Sequence, residues 1–120
     1  MKNKDAVILR KILDYCRQCE EAVDMFGGSF DTFCACSVFQ NACCMCILQI
    51  GELCKTVSAE LREIAIDIPW KEWCGVRDIF AHQYSNIDFE SAWETIQKDL
   101  PELAKEVEKL QRRNNYKEVE

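Results

Sequence analysis

The sequence has few residues that interrupt helices. Among 120 residues there are two prolines and four glycines, the residue types that most disfavour a helix interior. A run of about 18 apolar residues, the length that spans a bilayer, is also missing. The charged start of the chain, Met1–Asp5, does not resemble a secretion signal. We therefore expect a helical, cytoplasmic protein that does not associate with a membrane.

The size and composition fit one domain. The chain is 48% hydrophobic and 30% charged, which is usual for a globular protein that buries a single core. We assign residues 1–113 to one helical domain and residues 114–120 to a polar C-terminal tail. The net charge of −6 argues against broad binding to nucleic acid, because such binding needs a positive surface. A phosphate-binding site must then be local, or be built from more than one chain.

Nine cysteines stand out against this composition. Their odd number, together with the lack of an export signal, disfavours a disulfide framework. Cys16 and Cys19 have the spacing of a zinc-binding pair, but both fall within a predicted helix and no second pair with a histidine lies at ligand spacing. We expect the cysteines to pack in the core as small apolar residues, with metal binding and redox sensing as the lesser alternatives. We expect no metal and no cofactor.

Apolar residues recur every three or four positions along most of the chain, which predicts helices. The predicted helices span residues 5–26, about 29–57, 58–65, 67–82 and 88–110. Ser29 or Asp31, Ser58 and Asp88 are suitable N-caps, and Gly27–Gly28 is a suitable helix end. Pro101 predicts a kink or a break in the last helix. The predicted fold is all-α, an antiparallel bundle of four to six helices.

Residues 75–84 hold the most chemically versatile side chains. His82 is the single histidine and can move protons near neutral pH, Arg77 can grip a phosphate with a planar fork of donors, and Tyr84 offers a hydroxyl. These groups suggest phosphate chemistry. The alternative is structural, because five aromatic or aliphatic residues recur here at helical spacing and could form a core stripe: Trp70, Trp73, Val76, Phe80 and Tyr84.

A carboxylate on the most apolar predicted helix is a second candidate for the site. Glu52 lies on that helix, and a charged group taken out of water needs a partner. Arg77 is a candidate for that partner. The alternative is an exposed Glu52 that pairs with nothing.

Several segments of the chain resemble the HepT-like proteins of the HEPN superfamily. The segments are Gly28–Phe30, Ile50–Glu52, Ile68–Trp70, Arg77–Tyr84 with Ile87–Asp88, Trp93 and Asp99–Leu103. The centre of the resemblance is the pattern Arg, four residues, His, one residue, Tyr, which Arg77, His82 and Tyr84 satisfy. The resemblance extends over about residues 5–110. The high cysteine content departs from the family, whose helices more often carry Ala, Val or Leu at such positions.

The resemblance implies a HEPN-type helical bundle and a metal-independent endoribonuclease, usually the toxin of a toxin–antitoxin pair. It implies Arg77 and His82 as the catalytic pair, with Asp78 in the polar position that follows the arginine. The implied partner is a minimal nucleotidyltransferase antitoxin, which attaches AMP to the tyrosine of the pattern, here Tyr84. Family members generally form homodimers.

Helix geometry sets a condition on this site. Positions 77 and 82 lie about 140° apart around an ideal helix, so Arg77 and His82 do not share a face. Either the helix unwinds near Ala81, or a second chain supplies part of the site, as a twofold dimer allows. We favour the composite site.

The residue types suggest how such a site would work. His82 would act as general base or acid, Arg77 would stabilise charge on the phosphate, Asp78 could orient His82, and Tyr84 could hold the phosphate. The attacking group would be the 2′-hydroxyl of RNA. The competing hypotheses are a non-catalytic helical module that binds a nucleotidyltransferase or a nucleotide, and an antitoxin-like inhibitor.

Overall fold

The computed structural model describes the backbone of residues 1–82 and 88–119 and the side chains of residues 1–76 and 88–114. Throughout this part of the chain the regular structure is helical, with no strand, which confirms the all-α prediction. The helices are α1 (Asn3–Met25), α2 (Phe30–Ala35), α3 (Ser37–Cys54), α4 (Ala59–Ile64), α5 (Trp70–His82), α6 (Phe89–Glu94) and α7 (Leu100–Val119). A π-helical turn, Thr95–Asp99, joins α6 to α7 without a break.

The four long helices form an antiparallel bundle. Helix α1 packs against α3 and α7, and α3 packs against α5. The first turn of α1 meets the end of α3, because Asp5 bonds to Ser58 just beyond that helix. Along the other side of α1, Arg17 lies 3.9 Å from Glu108 of α7. The helical backbone of α7 continues through Val119 and so includes most of the segment assigned to the tail.

A buried carboxylate ties three helices together at one end of the bundle. Asp5 of α1 is only 2% exposed, and its two oxygens accept hydrogen bonds from the backbone N–H of Ser58 at 3.0 Å and from the Ser58 hydroxyl at 2.5 Å. The same hydroxyl accepts a bond from the backbone N–H of Leu61 at 3.1 Å. Ser58 is therefore the N-cap of α4, as the sequence predicted, and Asp5 fixes that cap from α1.

The predicted helix over residues 29–57 is wrong in its continuity. The chain forms two helices there, separated at Cys36, whose extended backbone (φ −119°, ψ 107°) cannot continue a helix. The side-chain amide of Gln40 donates to the carbonyls of Phe33 and Cys34 at 2.8 and 3.1 Å. It thereby satisfies carbonyl groups that the end of α2 leaves without helical partners. The predicted cap at Ser29 is confirmed, because its hydroxyl accepts from Thr32 N–H at 3.1 Å.

Of the kink or break predicted at Pro101, the break does not occur. The chain remains helical through the proline because the preceding turn is a π-helix, in which the N–H of Leu100 donates to the carbonyl of Thr95 five residues earlier. A π turn inserts one extra residue into a helix. We attribute the continuity of the segment to this wider turn, since Gln97, whose carbonyl the proline ring would otherwise meet, lies within it.

The expectation that no segment is long and apolar enough to span a membrane does not hold for α3. Ser37–Cys54 is 18 residues long, with a mean hydropathy of 1.2, so its length and composition would allow it to cross a membrane. The central helix of a helical bundle meets the same criteria. In this structure α3 packs against both α1 and α5, and 44% of its residues are buried.

The Asp5–Ser58 link makes a testable contribution to stability. We expect Asp5→Ala to lower the free energy of unfolding by about 2–3 kcal/mol, because it leaves a partly buried N–H and hydroxyl without their charged acceptor. Urea unfolding followed by far-UV circular dichroism measures this. Asp14→Ala, an exposed site on the same helix, is the matched control and should change stability by less than about 0.5 kcal/mol. Equal stability of the two variants would contradict the assignment.

Candidate functional site

Helix α5 carries the candidate catalytic stretch, and two buried tryptophans hold its first turns. Trp70 and Trp73 are 5% and 4% exposed. The indole N–H of Trp70 donates to the carbonyl of Ala65 at 3.1 Å, which fixes the start of α5 against the end of α4. These two members of the proposed core stripe are therefore structural, and Val76 is half-buried. The stripe's remaining members, Phe80 and Tyr84, lie outside the described residues.

The backbone of α5 is helical from Trp70 through His82. It therefore does not unwind at Ala81, so of the two arrangements considered, unwinding or a site shared with a second chain, the first is excluded. On an ideal helix these positions are separated by about 140° and by a rise of about 7.5 Å. The side chains of Arg77, Asp78 and His82 lie outside the described residues, as does all of Tyr84.

Glu52 lies on α3, the helix on which α5 packs. The structure places its side chain among the exposed residues, although its neighbours Gly51 and Cys54 are buried. Because this carboxylate is exposed to water, the cost of keeping it charged is far smaller than the cost expected for a buried group. Pairing with Arg77 stays a prediction, since the arginine side chain lies outside the described residues.

The chain resumes after the candidate stretch at Asp88, which is the N-cap of α6 as predicted. Its carboxylate accepts bonds from the Ser91 hydroxyl at 2.9 Å and from the backbone N–H of Glu90 at 3.0 Å. The bond from the Ser91 hydroxyl is the largest cause that lowers the pKa of Asp88 below its usual value. Asp88 is therefore ionised at neutral pH and fixes the point at which the chain enters α6.

An aromatic cluster holds α6 against the rest of the bundle. Phe33 of α2 lies at its centre, with ring centroids 5.2 Å from Phe39, 5.9 Å from Phe89 and 5.2 Å from Trp93. Phe39 in turn stacks on Phe26 at 4.9 Å. The candidate stretch thus runs between two anchored ends, the tryptophans of α5 and the aromatic residues of α6. The sequence did not reveal this cluster, because the spacing of apolar residues along a helix does not specify which helices meet.

The cysteines serve mainly as core residues. All nine are free thiols, and six are buried: Cys16, Cys19, Cys43, Cys44, Cys46 and Cys54. Burial raises the pKa of Cys16, Cys44 and Cys54 to about 12, so these thiols stay protonated at neutral pH. Cys19 donates a hydrogen bond to Cys43, which raises the pKa of Cys19 and lowers that of Cys43. The packing prediction is confirmed for these six residues.

No cluster of three metal-ligating side chains occurs in the part of the chain whose side chains are described. The chemistry that the candidate stretch itself can offer is that of an arginine and a histidine on one helix. A guanidinium stabilises phosphate charge, and an imidazole transfers protons near pH 7.

Comparison with known proteins assigns the chain to a family. The family model described as "Ribonuclease HepT-like" matches residues 12–110, which include both candidate catalytic positions. No solved structure matches the chain.

Curated relatives of the chain are named as ribonucleases. A candidate RNase of Caldanaerobacter subterraneus subsp. tengcongensis, TTE0752, is 36% identical over 78% of this chain and 85% of its own length. A protein of Thermococcus cleftensis assigned as a ribonuclease HepT is 28% identical over 82% of this chain and 94% of its own. A candidate RNase of Methanocaldococcus jannaschii, MJ0125, is 42% identical over 54% of this chain and 56% of its own. Because the family model covers well over half of its residues, the chain belongs to the HepT-like ribonucleases.

Proposed function

We propose that this chain is a metal-independent endoribonuclease that acts in the cytoplasm as the toxin of a toxin–antitoxin pair. The observation that carries the proposal is the family match over residues 12–110, which includes the Arg77–His82 pair on α5. Family membership supports cleavage of RNA, and the two residue types support a route that uses protein groups alone. The partner would be a minimal nucleotidyltransferase that serves as the antitoxin.

The proposed reaction uses the nucleophile that RNA already contains. His82 removes the proton of a 2′-hydroxyl, the 2′-oxygen attacks the adjacent phosphorus, and the bond from phosphorus to the 5′-oxygen breaks. Arg77 stabilises the negative charge that develops on the phosphate. A proton returns to the leaving 5′-oxygen. The products are a 2′,3′-cyclic phosphate and a 5′-hydroxyl, with Asp78 orienting His82 and Tyr84 holding the phosphate.

The proposed site is shared between two copies of the chain. Positions 77 and 82 are on different faces of a continuous helix, so a twofold axis that brings two copies of α5 together would let Arg77 of one protomer act with His82 of its partner. Such pairing also doubles the positive groups at the site. This offsets the difficulty that a chain of net charge −6 faces in binding an anionic substrate.

Helix α3 supplies a surface that supports a homodimer. Glu52 is the one charged residue among its 18 residues, and five of the 18 are exposed in this chain. Val38 and Met45, seven residues apart and hence on one face, are 64% and 54% exposed. A second copy packed along this face would cover them and would lie beside α5, which packs on α3.

We further propose that adenylylation of Tyr84 silences the enzyme. Tyr84 is two residues from His82, and AMP on its hydroxyl would add a bulky group with a negative charge. That charge would occupy the guanidinium of Arg77 and repel incoming RNA. The nucleotidyltransferase partner would supply this AMP from ATP.

Cleavage of RNA distinguishes an enzyme from a non-catalytic binding module. We expect the purified protein to cleave RNA in EDTA to products with 2′,3′-cyclic phosphate ends. We expect His82→Ala to lower the rate by about 10²–10⁴-fold, because it removes the general base. Lys71→Ala, at an exposed position of the same helix, is the control and should retain the parent rate. If the His82→Ala protein kept its helical content and the parent activity, the binding module would be favoured.

Association through α3 is tested by one charged substitution. We expect Met45→Lys to convert the protein from a dimer to a monomer at micromolar concentration in sedimentation velocity, because a lysine cannot be buried unpaired in an apolar interface. Met25→Lys, at a methionine that is 75% exposed at the end of α1, should remain dimeric.

Mixing tests the shared site itself. Arg77→Ala and His82→Ala proteins, each inactive alone, should regain part of the parent activity when combined, since some mixed dimers keep one intact Arg77–His82 pair. A parent protein that sediments as a monomer, or mixtures that stay inactive, would count against the composite site.

Modification of Tyr84 predicts a loss of activity without unfolding. Incubation with the proposed nucleotidyltransferase partner and ATP should add AMP to the peptide that contains Tyr84 and abolish RNA cleavage while the helical content stays unchanged. Tyr84→Phe should remain unlabelled, whereas Tyr15→Phe, at a half-buried position on α1, should be labelled like the parent. Full activity after complete modification would refute this control mechanism.

A further inference from the structure

Two hollows lie side by side where the end of α4 meets α7. The first has a volume of about 250 Å³ and is also bordered by Met1, which is 46% exposed. The second, of about 340 Å³, borders the turn between α4 and α5. Ile64, Leu110 and Arg113 line both hollows, which are therefore neighbours. We define the α4–α7 patch as the exposed side chains around them: Met1, Ile64, Ile66, Arg112 and Arg113.

The apolar side chains of the patch are genuinely open to water. Ile64, the last residue of α4, is 58% exposed, and Ile66 in the following turn is 80% exposed. The backbone that carries them is fixed, because the N–H of Ile68 and the indole N–H of Trp70 both donate to the carbonyl of Ala65 at 3.1 Å. Ile66 is therefore displayed by a hydrogen-bonded turn.

The exposed apolar surface is concentrated at this end of the bundle. Three of the eight large apolar residues that are exposed in the described part of the chain belong to the patch: Met1, Ile64 and Ile66. Isolated apolar residues are common on protein surfaces, whereas a group of them with polar neighbours is typical of a binding site for another protein.

Positive charge is left over at the patch, although the chain as a whole is acidic. The lysines of the two hollows are neutralised by ion pairs of 3.2 Å: Lys2 with Glu60, and Lys109 with Glu106. Arg112 and Arg113 are exposed and make no ion pair with any side chain that the structure describes. Among the carboxylates, Asp5 is held by Ser58, which leaves Asp67. Two guanidinium groups thus face one unpaired carboxylate.

We propose that the α4–α7 patch docks an acidic amphipathic helix of a partner protein. Ile64 stands between the two hollows, so it would fit between two apolar side chains of that helix, spaced i, i+3 or i, i+4, with one entering each hollow. Carboxylates beside them would accept hydrogen bonds from Arg112 and Arg113, whose planar guanidinium groups suit a carboxylate. Ile66 would add apolar contact at the edge.

The composition of the patch favours a protein over other anions. RNA would meet the patch mainly through its phosphates, which gain nothing from exposed isoleucines. Exposed Glu63 and Asp67 flank those isoleucines and would repel an anionic membrane or a polyanion, whereas a protein can place its carboxylates at the arginines alone. The surface that we assign to a second copy is the exposed face of α3.

The patch is remote from the candidate catalytic position. Helix α5 begins at Trp70, beside the patch, and His82 is twelve residues further along it, a distance of about 18 Å. A helix at the patch therefore need not overlap an RNA at His82, and the docking proposal stands independently of the ribonuclease activity. Substitutions in the patch should leave RNA cleavage by the protein alone unchanged.

A designed peptide probes the patch in the full-length protein. The probe is a fluorescent amphipathic peptide of about 14 residues, or four helical turns, with leucine at the spacing above and glutamate beside it. Its control carries lysine in place of glutamate.

Two patch variants each have a matched control. The charge variant is Arg112→Glu with Arg113→Glu, and its control is Arg10→Glu with Lys11→Glu, an exposed basic pair on α1 outside both hollows. Both double variants change the net charge of −6 by the same amount. The apolar variant is Ile66→Ser, and its control is Met25→Ser, at a residue that is 75% exposed.

We expect the glutamate peptide, and not the lysine peptide, to bind the parent in fluorescence anisotropy. The charge variant should bind at least about tenfold more weakly, a loss of about 1.4 kcal/mol, and Ile66→Ser at least about threefold more weakly because apolar contact is lost. Both controls should stay within about twofold of the parent. No binding to the parent, equal weakening by both charge variants, or unchanged binding by Ile66→Ser would each overturn the proposal.

Two further readouts separate the proposed partner from other occupants. A single-stranded DNA of about 12 nucleotides, within the usual site size for single strands, lacks the 2′-hydroxyl and is not cleaved by the proposed route. It should not displace the peptide, and displacement would make the patch a nucleic-acid site. In sedimentation velocity the patch variants, shown to be folded by circular dichroism, should keep the association state of the parent. Loss of a dimer in these variants alone would make the patch an interface between copies, and either result overturns the proposal.

Discussion

The arrangement of the helices follows from the need to bury the apolar surface of α3. A helix with one charged residue in 18 is stable in water only when other helices remove its apolar surface from solvent. Helices α1 and α5 do so from two sides, and Asp5 fixes the end of α1 to the turn that follows α3. The candidate catalytic stretch is on α5 and therefore takes its position from the same packing. Its chemistry depends on a helix that belongs to the core.

The sequence predicted the helices wherever a local signal was strong. The caps at Ser29, Ser58 and Asp88 are confirmed because each depends on a side chain bonding to its own first turn, which is a property of a few adjacent residues. Gly27 and Gly28 end α1 with positive φ angles of 88° and 72°, a conformation that glycine adopts without strain. Such signals are complete within five or six residues, so no knowledge of the fold is needed to interpret them.

The misjudged features depend on residues distant in the chain or on an uncommon backbone geometry. Cys36 carries no sign of a helix break, and the break is stabilised by Gln40, four residues into the next helix. Pro101 is an obvious breaker, but the π turn before it accommodates the proline. From the sequence, Asp5 would be expected on the surface, in the first turn of a helix. Only the folded structure shows that it is buried against Ser58. The pattern Arg77–His82–Tyr84 could be found from residue types and spacing alone. The geometry of the site could not be predicted in this way, because it depends on which helices or chains pack against the two faces of α5 that carry positions 77 and 82.

The distribution of charge around α5 indicates the side from which an RNA substrate would approach the proposed site. Five carboxylates line a groove between the first turns of α5 and the start of α7: Asp67, Glu72, Asp99, Glu102 and Glu106. Charge of this kind acts over about 8 Å at physiological salt, so it disfavours the approach of a polyanion from this side of α5. Position 82 lies about 120° from Val76 around the helix, and α3 packs against α5. In the proposed dimer the positive groups of both copies would combine at the shared site, which would let an acidic chain act on an acidic polymer.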